Sequence, residues 1–166
     1  MNIFILSLIV SKCARYHCDK HVVKMILEIA QMLCTSHRVL DKITDTETIL
    51  YKSTHINHPC TIWSRENSAN YDWLFSLFIA LCQEYTYRYD KEHLCHKKFS
   101  KILAERPKNI VISDKMTPFA LAMPDYCKVP DDPVKSYRQY YINEKQALLK
   151  WTRRERPKWL PLEKET

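Results

Sequence analysis

Residues 1–10, Met-Asn-Ile-Phe-Ile-Leu-Ser-Leu-Ile-Val, are apolar at nearly every position. A run this apolar is not a free tail. It is expected to pack into a core, which fixes the N-terminal amine at a defined place. From His17 onward the pattern takes on a helical period. Val22, Val23, Ile26, Ile29, Ala30, Leu33 and Cys34 fall on one side of a 3.6-residue wheel. His17, His21, Lys24, Glu28 and Gln31 form a narrow polar stripe on the other side. Ser11 is a candidate cap for a short turn leading into this helix, and Asp19 for a later start. The periodicity fades between Thr35 and Leu40.

Residues 41–60 are polar and irregular and end in His55-Ile56-Asn57-His58-Pro59-Cys60. Pro59 disfavours a helical backbone at His58, which marks a loop or an element boundary. A second helix is expected from about Trp63 to Tyr89, with Leu74, Leu77, Phe78, Leu81 and Tyr85 facing the core. A shorter basic helix follows from His93 to Glu105. Pro107, Pro118, Pro124, Pro130 and Pro133 then punctuate a long connection. Asp132 and Pro133 suit the cap and first turn of a third helix reaching about Trp151, with Val134, Tyr137, Tyr141, Leu148 and Trp151 on one face. The pattern predicts an all-α fold: a single compact helical domain over residues 1–166, with about three main helices and a long proline-rich connection.

Composition sharpens this picture at three points. The chain contains no glycine. Phosphate-cradling loops need glycine for close backbone approach and positive φ, so a Walker loop and a Rossmann fingerprint are excluded. Tight primed hairpins also prefer glycine, which counts against a sheet-rich fold. The net charge of +7 favours an anionic partner. The seven cysteines are odd in number and scattered, and several stand at apolar helical positions. That suits a reducing compartment, cytoplasmic or nuclear, without a disulfide framework. The apolar N-terminus lacks the basic flank and cleavage site of a signal peptide, and nothing is long enough to span a membrane.

The chemistry open to these residues is amine and acid–base chemistry, with no cofactor expected. Two imidazoles, an amine and a carboxylate stacked along one helix can move protons or grip a phosphate, though a solvated helix face has the same pattern. An amine at Lys20 or Lys24, beside Asp19, His21 and Glu28, can attack a sugar C1′ and form a Schiff base with a carboxylate assisting. That is the logic of a DNA glycosylase with lyase activity. Cys18 lies beside His17 and His21, but adjacent residues on a helix do not face each other. The C-terminal Lys145, Lys150, Arg153, Arg154, Arg156 and Lys158 can neutralise phosphates, or simply decorate a solvated helix end. Tyr140, Trp151 and Trp159 can stack on bases, with core packing the favoured role for the tryptophans. His17 and His21, with His55, His58 and Cys60, offer metal-ligating side chains, and so does His93-Leu94-Cys95-His96, but none has paired CxxC spacing. No metal ligand is assigned.

Three patches resemble the phage-type pyrimidine-dimer DNA glycosylases, also called endonuclease V of the phage type. Asn2-Ile3-Phe4-Ile5-Leu6-Ser7 leads through Ala14 and His17 into a polar-faced helix. Asn57-His58-Pro59 precedes a long amphipathic helix. The last helix runs out into Arg156-Pro157-Lys158-Trp159, similar to the family's Arg-Pro-x-Trp ending. The resemblance implies a compact all-α fold that binds duplex DNA through the first helix and nearby basic residues, and removes a damaged pyrimidine by flipping a nucleotide from the stack. It implies an N-terminal α-amine as nucleophile and an assisting glutamate on the first helix. Two positions depart from the family pattern. Asn2 is a side chain that protects the initiator methionine from removal, so the amine belongs to Met1. No Arg-Glu pair stands on the first helix, where Glu28 is the only glutamate. The expected catalytic set is Met1 or Lys20 as nucleophile, with Glu28 or Asp19 as acid–base. His17, His21, Lys24, Asn57, His58, Arg65, Arg153, Arg154 and Arg156 are the expected nucleic-acid contacts. The alternatives are a non-catalytic nucleic-acid-binding protein on the same fold and a small zinc-stabilised interaction module.

Overall fold

The computed structural model describes residues 1–161. Six α-helices follow one another: α1 (Val10–Tyr16), α2 (Asp19–Leu40), α3 (Pro59–Glu66), α4 (Ser68–Tyr89), α5 (Leu94–Phe99) and α6 (Pro133–Glu144). Single 3-10 turns lie at Ile102–Ala104, Asp125–Cys127 and Gln146–Leu148. No strand occurs among the described residues, and the fold is all-α. No helix among them is long and apolar enough to cross a membrane.

The helix ends correct several expected boundaries. Neither Ser11 nor Asp19 caps a helix. α1 starts at Val10, and α2 starts after Cys18, whose extended backbone (φ −65°, ψ 160°) makes it the N-cap. Asp19 is the first helical residue, where a negative charge suits the helix dipole. The segment expected to be one helix into Tyr89 is two. Asn67 (φ −158°, ψ 171°) breaks it, and its side chain accepts the Asn70 amide at 3.0 Å. α6 ends at Glu144 rather than near Trp151, and a 3-10 turn follows at Gln146–Leu148.

A chain without glycine must place other residues at left-handed positions. Lys42, His55, Asp90, Asp131 and Arg153 fill them, with φ between 47° and 59°. Lys42 follows Asp41 at the end of α2, and the Ile43 amide bonds back to the Arg38 carbonyl at 3.0 Å. That is a Schellman ending with lysine where glycine is preferred.

α2 packs against α4 and α3, and α1 packs against α4. The shared core holds Ile26, Ile29 and Leu33 from α2, Leu74, Leu77, Phe78 and Leu81 from α4, and Tyr137 and Tyr141 from α6. Each such side chain contributes roughly 1.5–3 kcal/mol by leaving water. Ile3 to Leu6 are buried in the same core, while Leu8 and Ile9 are exposed. All seven cysteines are free and buried, packed as small apolar groups. Burial pushes the Cys13, Cys34 and Cys60 thiols up to about 11, which keeps them protonated.

Polar anchors hold the irregular segments. The proline-rich connection is tied to the first turn of α4, where the Ser68 amide donates to Val111 and Asn70 Nδ2 donates to Thr117 Oγ1. The C-terminal segment is held by a buried ion network. Arg88, with no exposed side-chain surface, pairs with Glu84 at 2.8 Å and Asp19 at 3.0 Å. Arg154 bonds both Glu84 oxygens, and Thr152 donates to Asp19 through its amide and its hydroxyl.

Candidate active site

The N-terminus is pinned by the side chain of its second residue. Asn2 Nδ2 donates to the Ala122 carbonyl at 2.9 Å. Its Oδ1 accepts the Ile3 amide at 2.8 Å and lies 3.0 Å from the Tyr137 hydroxyl. That hydroxyl is itself 2.7 Å from the Ala120 carbonyl. With Asn2 so held, the Met1 α-amine stands 3.7 Å from Glu28 Oε2, and the Asn2 amide donates to the same oxygen at 3.1 Å. The other Glu28 oxygen is 3.6 Å from Lys24 Nζ, one helical turn away. Glu28 is nearly buried, whereas Lys24 is 67% exposed, so one carboxylate joins a pinned amine to a free one.

Two histidines flank this pair in different ways. His58 is the N-cap of α3, and its Nδ1 accepts the Cys60 amide at 3.1 Å. The neutral ring therefore carries its proton on Nε2. Burial, then the positive N-terminal amine and His55, hold its pKa below the usual histidine value. His21 is buried, stacked on Phe4 at 4.3 Å, with Nδ1 2.7 Å from the Tyr141 hydroxyl. Burial, with the charges of His17, Lys145 and Lys24, pushes it down to about 3.

The polar stripe read from the sequence is redrawn by the fold. The exposed strip of α2 is Lys20, Val23, Lys24 and Leu27, with Gln31 half-buried beyond. Val23, expected on the core side, is in the open. His17 lies outside α2 as the C-cap of α1, buried, with Nδ1 2.7 Å from the Cys13 carbonyl. His21 and Glu28 are buried because the N-terminal segment lies over them, which a helical wheel cannot register. In this geometry His17 is a packing residue with no face toward solvent, and His21 presents almost none.

The remaining candidates scatter. Lys20 is exposed at the start of α2, about 12 Å along the axis from Glu28, and is not brought to the amine. Asp19 is held by Arg88 and Thr152; burial raises its pKa, but the Thr152 hydrogen bonds and Arg88 outweigh this and hold it low. It acts as a clamp for the C-terminal segment. Asn57 is exposed beside half-buried His58. Arg65 is turned back onto its own loop, donating to Thr61 and to the Ile56 carbonyl at 2.8 Å. Arg153 pairs with Asp90 at 2.7 Å, Arg154 is committed to Glu84 and lies over the Tyr87 ring, and Arg156 donates to the Pro161 carbonyl. Trp151 donates to the Tyr16 carbonyl, and Trp159 packs on Tyr16 and Tyr141. No group of three His, Cys, Asp or Glu able to hold a metal ion occurs among the described residues.

The sequence reading passed over the Glu84–Arg88 pair and the Tyr137 anchor. The i, i+4 spacing of Glu84 and Arg88 was a visible signal. The bond from Tyr137 to Asn2 spans 135 positions and had none.

A family model described as pyrimidine dimer DNA glycosylase matches residues 1–97, which include the N-terminal segment, all of α2 and the His58 turn. No curated protein and no solved structure matches the chain.

Proposed function

Since the chain belongs to the pyrimidine dimer DNA glycosylase family, we propose that it excises a damaged pyrimidine from duplex DNA and cleaves the strand through an amine nucleophile. The Met1 α-amine attacks the sugar C1′, and Glu28 takes up its proton. The observation that carries this reading is the 3.7 Å approach of that amine to Glu28 Oε2. The Asn2 nitrogen lies 3.1 Å from the same oxygen, so removal of Met1 would leave a terminal amine facing the same carboxylate.

The chemistry follows from that pair. The nitrogen lone pair forms a bond to C1′ while the glycosidic bond breaks, and its electron pair leaves with the base, which is then protonated. Ring opening puts a proton on the sugar O4′ and leaves a protonated imine between the terminal nitrogen and C1′. Loss of a C2′ proton expels the 3′ phosphate, and water then hydrolyses the imine and frees the amine. In this reading Glu28 accepts protons in these steps, Lys24 holds a phosphate at the site's edge, and His58 donates a hydrogen bond from Nε2.

Borohydride trapping on duplexes carrying a pyrimidine dimer or an abasic site tests the proposal, with intact mass establishing which residue bears the free amine. Wild type is expected to give a covalent adduct that N-terminal acetylation abolishes. Glu28→Gln should lower its rate by about 10²–10⁴-fold, and Lys20→Ala should leave it intact. An adduct lost in Lys20→Ala but kept after acetylation would move the nucleophile to Lys20. Binding without an adduct would leave a non-catalytic DNA-binding protein.

A further inference from the structure

Ala122 and Tyr137, which hold Asn2, lie beyond the residues that the family model matches. With Asn2 they form a closed ring of hydrogen-bonding groups. Asn2 Nδ2 donates to the Ala122 carbonyl at 2.9 Å, the Ala122 amide donates to the Tyr137 hydroxyl at 3.3 Å, and that hydroxyl is 3.0 Å from Asn2 Oδ1. A side chain gripped at both its nitrogen and its oxygen cannot swing about its own bonds. The peptide beside it is fixed with it, and that peptide's N–H donates to Glu28 Oε2.

The frame behind the ring is itself anchored. The Thr117 amide donates to Asn70 Oδ1 at 3.0 Å, and the Trp63 indole donates to the Thr117 carbonyl at 3.2 Å. Phe119 packs on Trp63 at 5.0 Å and on Trp73 at 4.9 Å. Residues 117–122 therefore run from α3 and α4 to Asn2, and Tyr137 fastens their end through its hydroxyl, 2.7 Å from the Ala120 carbonyl. A buried hydroxyl needs one acceptor, and Ala120 supplies it. Sharing its single proton with Asn2 Oδ1 goes beyond what burial requires. Tyr137 has no exposed surface and meets no reacting atom. We infer that Tyr137 is a positioning residue: through Asn2, its hydroxyl sets the direction from which the N-terminal amine meets C1′. This rests on the amine reading of the site and adds a residue from α6 to it. Attack by a held nitrogen depends steeply on placement, and a displacement of about 1 Å can cost about 10²-fold.

Tyr137→Phe removes the hydroxyl and keeps the ring. Tyr71→Phe is the control: Tyr71 is equally buried, and its hydroxyl donates to the Leu103 carbonyl at 2.8 Å beside His37, at the far end of α2. Asn2→Leu removes the group through which Tyr137 acts, with intact mass checking that Met1 is kept. Single-turnover borohydride trapping on an abasic duplex is measured at saturating protein, duplex affinity by anisotropy, and exchange of the Asn2 amide by NMR. Tyr137→Phe is expected to slow trapping by about tenfold or more at unchanged affinity, and to speed exchange of the Asn2 amide. Tyr71→Phe should do neither. Adding Tyr137→Phe to Asn2→Leu should cost nothing further. Equal trapping rates in wild type and Tyr137→Phe overturn the assignment. Equal losses in the two phenylalanine variants also overturn it, as do additive losses in the double variant. No adduct in wild type, with faster Asn2 exchange in Tyr137→Phe, overturns the amine chemistry and leaves Tyr137 as the residue that fixes the N-terminus. No adduct and unchanged exchange overturn both.

Discussion

Asn2 does two jobs at the scale of a single residue. Its side-chain nitrogen donates to the Ala122 carbonyl, and its side-chain oxygen accepts from the Tyr137 hydroxyl in a buried setting. Replacing it with alanine removes the donor to the Ala122 carbonyl, while the Tyr137 hydroxyl keeps the Ala120 carbonyl. Asn2→Ala is expected to cost about 1–3 kcal/mol in chemical denaturation. It should also lower adduct formation by more than the lost stability explains, because the amine is then no longer held over Glu28. Glu28 itself was legible in the sequence as the only glutamate of the helix. Its partner was not, because the bond from the N-terminal segment spans 26 positions and no local period reports it.

At the scale of elements, two helix features carry opposite signs. α2 ends with Lys42 in the left-handed region at φ 53°, where a Cβ is strained. Lys42 is exposed. Lys42→Gly should therefore stabilise the protein by about 0.5–1 kcal/mol, seen as a higher denaturation midpoint with an unchanged slope. α4 carries the opposite case. Glu84 is the shared acceptor for Arg88, one turn along the same helix, and for Arg154 in the C-terminal segment. Glu84→Gln leaves a buried guanidinium undercompensated and should cost about 3–5 kcal/mol. Limited proteolysis should then open the segment from Trp151 to Pro157 before the helices, which would distinguish a released clamp from uniform destabilisation. The core-facing stripe of α4 was readable from spacing. The break at Asn67 was not, because apolar periodicity runs across it while a capping side chain ends one helix and starts the next.

At the scale of the whole molecule, buried imidazoles set the response to acid. Burial, chiefly, pushes His17 down to about 4 and His21 to about 3 from an ordinary 6.5. The unfolded chain takes up these protons near 6.5 and the folded chain does not. Stability is therefore full above that pH and falls as pH drops from 6.5 toward 4 and 3, by up to about 1.4 kcal/mol per unit for each ring. Asp19 and Glu84 act lower. Burial raises both, but the Thr152 hydrogen bonds and Arg88 for Asp19, and Arg154 and Arg88 for Glu84, hold them below the usual carboxylate range. Their contribution is present above about pH 4 and lost as pH falls through their folded values. Urea midpoints measured at pH 7 and pH 5 should differ clearly, with the lower value at pH 5. Equal midpoints would mean that both imidazoles are hydrated in the native state.

The sequence alone determined the helical class, because apolar periodicity and the absence of glycine are local properties that no tertiary contact can reverse. It also supplied the candidate groups, amines and carboxylates on a basic chain, since side-chain identity sets what protons and electrons can do. Only the tertiary structure decided which of those groups meet. It buried His17, turned Asp19 and Arg154 into a clamp, left Lys20 remote and brought Met1 to Glu28. The reason is that a period reports one helix face, while burial and proximity depend on what the rest of the chain lays across it.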